Sequence, residues 1–128
     1  MKRHIFICVI VIALSVTNGV GNPAAQVREP RIQSGVFEFT EPVNLHGVVL
    51  QGQYLFLHHQ GMMDRGKPCI FVYHANSGGF VTSFHCRPVK RDRVGHLSVV
   101  LSRAIAFGLL EIEEIQFAGS TEGHLVQH

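Results

Sequence analysis

Cys69-Ile70-Phe71-Val72-Tyr73-His74-Ala75-Asn76-Ser77-Gly78-Gly79-Phe80-Val81-Thr82-Ser83-Phe84-His85-Cys86 decides how this 128-residue chain is read. Two runs rich in β-branched and aromatic residues flank Asn76-Ser77-Gly78-Gly79, a cluster of turn formers, and that pattern predicts a β-hairpin. If those four residues are the loop, Ala75 lies opposite Phe80, Phe71 opposite Phe84 and Cys69 opposite Cys86. Alternation then gathers Cys69, Phe71, Tyr73, Phe80, Phe84 and Cys86 on one face. That face is the more aromatic and is expected to look into the core. His74 and His85 fall on the other face with Ile70, Val72, Val81 and Ser83. Opposed cysteines at a close, non-hydrogen-bonded pair can be bridged, and closing a loop of about seventeen residues stabilises by ~3 kcal/mol in the chain-entropy view.

Outward from the hairpin the period stays near two. Val36 to Thr40 alternates, with Phe37 and Phe39 sharing a face, and Pro42 ends that strand or marks it as an edge. Val48 to Leu50 leads through a turn at Gln51-Gly52 into Tyr54 to His58, where Tyr54 and Phe56 are expected to pack inward. Gly61 to Pro68 reads as a loop or a single helical turn. His96 to Ile105 is alternating, with Leu97, Val99 and Leu101 on one face. Glu111 to Ala118 reads as the last strand. Its apolar residues Ile112, Ile115 and Phe117 fall out of phase once, which a β-bulge or a short helical start explains. No segment sustains a helical period. The expectation is an all-β domain, a small antiparallel sandwich or barrel of about six to seven strands behind an N-terminal signal helix.

The N-terminus reads as an export signal. Lys2, Arg3 and His4 precede the apolar run Ile5 to Val16, which is too short to cross a bilayer comfortably but suits a signal peptide. Residues 1–25 are assigned to it, with cleavage between about 19 and 25. Residues 26–35 form a flexible lead-in, and 36–128 a single β domain. Once Lys2 and Arg3 are removed, nine basic residues face nine acidic ones, so the basic character belongs to the signal and nucleic acid is not an expected partner. Arg87, Lys90, Arg91 and Arg93 read as a solvated loop. Of three cysteines, Cys8 leaves with the signal, and Cys69 with Cys86 forms a disulfide in an oxidising compartment. The protein is therefore expected outside the cytoplasm, secreted or periplasmic, with no stable membrane span after processing.

Nine histidines are the unusual feature of the composition. His58-His59-Gln60-Gly61-Met62-Met63 groups imidazoles with thioethers, the donors that suit copper. Two readings follow: surface histidines with packing methionines and no cofactor, or a copper site using His58 or His59 with Met62 or Met63. Neighbours on a strand point to opposite faces, so only one of His58 and His59 can serve a given site. A blue-copper site further requires a free thiolate, which the Cys69–Cys86 bridge would remove. No zinc spacing, nucleophile elbow, P-loop or dinucleotide fingerprint is present, and His85 beside Cys86 points away from it. Glu111, Glu113 and Glu114 read as a solvated edge. No catalytic residue is assigned.

Phe37-Glu38-Phe39-Thr40-Glu41-Pro42-Val43 and Gly47-Val48-Val49-Leu50-Gln51-Gly52-Gln53-Tyr54 resemble a small secreted bacterial β family with the pattern F-x-F-x-x-P-V…G-x-x-L-x-x-G-x-Y. Ser83-Phe84-His85-Cys86 and Phe117-Ala118-Gly119-Ser120-Thr121-Glu122 extend the resemblance. It implies export, β structure and a cysteine pair, and it implies no activity. The expected function is that of a non-enzymatic binding or structural domain of the cell envelope, with a protein or envelope partner. The alternative is a periplasmic copper-binding or copper-transfer protein.

Overall fold

In the computed structural model, which describes residues 31–103 and 108–127, the longest hairpin joins β1 (Ile32–Leu45) to β2 (Val48–His59). Its two-residue turn is His46-Gly47, with φ of 53° and 89°. Two left-handed residues match the right-handed twist of the flanking strands, which is why Gly stands at the second of them. The turn expected at Gln51-Gly52 is instead the interior of β2. Gly52 (φ 103°) faces Phe39, where β1 carries extra residues before pairing resumes at Val43 and Leu50. That bulge turns Thr40, Glu41 and Pro42 to solvent, where the missing N–H of Pro42 costs no ladder bond. The strand also begins at Ile32, so the last residues of the expected lead-in are paired with β2. The export signal lies outside the described residues.

A single helical turn, α1 (Gln60–Asp64), leads to β3 (Ile70–His74) and β4 (Phe80–Phe84). These two strands form the expected hairpin in a different register. Ile70 is opposite Phe84, and a slip after Val72 leaves Tyr73 opposite Phe80. The face of β3 is accordingly reversed from expectation. Ile70 and Val72 are fully buried, Phe71 and Tyr73 are half-buried on the other side, and Phe80 is 60% exposed. The cause lies in β2. Phe56 and His58 on its inner face stand directly opposite Val72 and Ile70, and direct cross-strand partners share a face. Phe84 and both cysteines do point inward, as expected.

At His85 the chain leaves β4, and β5 (Cys86–Lys90) pairs instead with β8 (Glu122–Val126). With β6 (Ser98–Arg103) and β7 (Leu110–Gln116), the order is β4-β3-β2-β1-β7-β8-β5, β6 pairing with β7 beside that path. All pairs are antiparallel except β1–β7, which run parallel where Val43 and Asn44 meet Leu110 and Glu111. The fold is all-β, with eight strands in one sheet among the described residues. Its two ends, β4 and β5, are separated by one residue of chain, so the sheet curls into a half-barrel. The Cys69–Cys86 disulfide ties this seam, with Cα atoms 6.3 Å apart. The cysteines are not partners within one hairpin. Cys69 donates its backbone N–H to Phe84 O at 3.1 Å, and Cys86 opens the next strand.

The phase break in β7 is a bulge. Val100 faces Glu114 and Leu101 faces Ile112, so Glu113 has no opposite number. Leu101, opposite the fully buried Ile112, is nevertheless 37% exposed. Phe39, Leu45, Leu50, Tyr54, Phe56, Ile112, Ile115 and Phe117 fill the concave side. The acidic residues of β7 are not the solvated edge expected. Glu114 is buried, and Arg91 grips it with two bonds of 2.8 Å, while Glu113 accepts from Ser102 and Glu111 from Asn44. Among the described residues no helix is long and apolar enough to cross a membrane.

Candidate metal centre

Where the seam closes, three strands deliver polar side chains to one buried point. His58 belongs to the inner face of β2, level with Gln33 on β1 and Ile70 on β3, and it has no solvent exposure. His124 is on β8, opposite Ile115 of β7 and Pro88 of β5, and is equally buried. Cys86 faces Val126, so His124, two residues along β8, is its diagonal neighbour on the same face. The curl of the sheet brings β2 over β8, and the two imidazoles stack with centroids 4.0 Å apart at 29°. The Phe117 ring lies against both, at 6.2 Å from His58 and 6.0 Å from His124.

Sulfur completes the cluster. Cys86 Sγ lies 3.9 Å from His124 Nδ1 and 3.8 Å from Met63 Sδ. One ligand atom from each of His58, Cys86 and His124 fits within a 4.8 Å limit of mutual separation. Donors bonded to a tetrahedral ion at about 2.0–2.3 Å stand roughly 3.3–3.8 Å from one another. The separations at Cys86 Sγ, 3.8 and 3.9 Å, lie at the upper end of that range, and the 4.8 Å limit on the whole group exceeds it by roughly 1 Å.

Electrostatics favour the form of His124 that binds metal. Burial, and secondarily the neighbouring His58, pushes its pKa down to about 3 from 6.5. Its Nε2 is 3.8 Å from Glu122 Oε1, a separation compatible with an ion pair. Burial decides the matter, because a ring that stays neutral makes no ion pair, and the neutral imidazole is the ligating form.

The four residues singled out in the sequence divide between two places. His58 and Met63 reach the seam. His59 caps α1, its Nδ1 accepting the Met62 N–H at 3.2 Å, and Met62 Sδ accepts from the Arg65 guanidinium at 3.1 Å. The alternation that sends His58 and His59 to opposite faces is therefore present, with His58 the inner one. His46, His74, His85 and His96 are exposed. His124 was not anticipated, because Glu122–Val126 is short, polar and beyond the strand read as the last. Its signal was the two-residue step from His124 to Val126, which puts both on one face of any strand. The chain matches no protein-family description, no characterised protein and no solved structure.

Proposed function

We propose that this chain is an exported, non-enzymatic binding domain of the cell envelope whose ligand is a soft metal ion, copper(I) before others. One observation carries the reading: two buried imidazoles and a thioether converge on the sulfur of Cys86 at the closed seam of the sheet. The donor set selects the metal. Thioether favours copper(I), imidazole is compatible with it, and hard ions such as calcium or magnesium seek oxygen donors instead. Met63 is half-buried and is the donor nearest solvent, which gives an ion an entry side.

Two further features support a binding role over catalysis. The carboxylates of β7 are engaged by Arg91, Ser102 and Asn44, which leaves them poorly disposed for acid–base work. Export is supported by the apolar N-terminal run and by the disulfide, a bond that persists outside the cytoplasm.

Competition titration with a copper(I) chelator tests the reading. One ion should bind per chain in at least one redox state of the bridge. His58→Ala and His124→Ala should each weaken it tenfold or more, and His59→Ala should not. Binding that is absent in both states, or indifferent to His58 and His124, would contradict the proposal.

A further inference from the structure

Cys86 Sγ occupies two roles that cannot coexist. It is bonded to Cys69, and it is also the atom about which His124 Nδ1 and Met63 Sδ are gathered at 3.9 and 3.8 Å. A disulfide sulfur is a poor donor, whereas a thiolate is among the strongest for soft metals. Charge points the same way. Two neutral imidazoles and a thioether would bury copper(I) with no negative charge among its donors, which a low-dielectric interior opposes. A thiolate at Cys86 supplies that charge at the ion itself, whereas the Glu122 carboxylate reaches only the His124 ring, 3.8 Å from Nε2.

We propose that the Cys69–Cys86 bridge is the gate of this centre: the disulfide excludes tight metal binding, and the dithiol form binds copper(I) through Cys86, His58, His124 and Met63. The inference rests on the metal-binding reading above and adds its regulation. The exchange balances with a dithiol as reductant. Its two thiols supply two electrons and two protons, its sulfurs become a disulfide, and Cys69 and Cys86 become thiols. Copper(I) then displaces the Cys86 proton to solvent as the S–Cu bond forms. In the reverse direction, a disulfide oxidant takes two electrons, one proton from Cys69 and one from solvent to become two thiols, the S–S bond re-forms and copper(I) is released. Metal binding and bridge formation thus compete for one sulfur.

The test compares the purified protein with its bridge intact and with its bridge opened by a dithiol that is then removed, together with Cys69→Ser and Cys86→Ser. Both variants lose the bridge, so any difference between them reports position 86 and not the crosslink. Copper(I) affinity should be at least 100-fold higher for the reduced protein and for Cys69→Ser than for the oxidised protein and Cys86→Ser. By linkage, saturating copper(I) should raise the reduction potential of the bridge by about 60 mV for that factor. Circular dichroism checks that each variant is folded. Should both serine variants unfold, the oxidised and reduced wild-type forms still decide the question. Equal affinity in the two states, with His58→Ala weakening both, would overturn the gate and leave the metal site standing. Failure of both states to bind would remove the site itself.

Discussion

His124 shows how burial sets a residue's chemistry. Its pKa is pushed down to about 3 from 6.5, so between those values the unfolded chain binds a proton that the folded chain refuses. The stability this residue contributes is complete above the unfolded value and is lost as pH falls toward the folded one. Urea midpoints of the metal-free, disulfide-linked protein should decline through that window, and His124→Gln should decline less steeply. Identical slopes would show that the imidazole is not buried in its neutral form. A second residue-scale contact is that of Gly123 with Glu114. A Cβ at position 123 would run into Glu114 Oε2 and lie 3.1 Å from Arg91 Cγ, so only glycine lets the carboxylate reach its guanidinium partner. Gly123→Ala should cost about 1–3 kcal/mol in chemical denaturation, the range for disturbing a buried charge-assisted bond. Most of that cost should vanish when Glu114 is already replaced by Ala, which a double-mutant cycle measures.

Elements were legible in the sequence where pattern alone fixes them, and illegible where a partner does. The Asn76–Gly79 turn, the inward Tyr54 and Phe56 and the phase break in β7 all follow from local residues. The facing of β3 does not. Phe71 and Tyr73 make the more aromatic side, yet Ile70 and Val72 go inward because the inner face of β2 is opposite them. A one-residue change of register flips every side chain, and no property of the hairpin itself forbids it. The hairpin turn between β1 and β2 was hidden in a similar way. His46-Gly47 lacks the Asn-Gly or Asp-Gly wording of such turns, and Gln51-Gly52 drew the assignment instead. Gly47, at φ 89°, now carries a prediction: Gly47→Ala should destabilise by about 1–2 kcal/mol in urea, the cost of a left-handed L-residue. A neutral result would mean that β1 and β2 are joined by some other turn.

Over the whole molecule, the defining event is closure of the curled sheet on itself. β4 and β5 lie at opposite ends of the strand order and are joined through His85, and the disulfide ties the residue before β3 to the first residue of β5. The candidate site depends on that closure, since His58 and His124 come from strands separated in that order by β1 and β7. Of the candidate site, His58 and Met63 stand among the four residues that the sequence singles out, whereas Cys86 reads there only as a disulfide partner. His124 was invisible until β8 was placed against β5, because its contact with Cys86 is between residues 38 positions apart that no local period relates. Loss of the crosslink by Cys69→Ser should lower stability by ~3 kcal/mol, and alkylation of the unreduced, denatured mature protein should find no free thiol. The central claim is tested most directly by X-ray absorption on the reduced, copper(I)-loaded protein. The account predicts a first shell with sulfur at about 2.3 Å and imidazole nitrogen at about 2.0 Å, the sulfur signal weakening in Cys86→Ser. A shell of oxygen and nitrogen alone would contradict it.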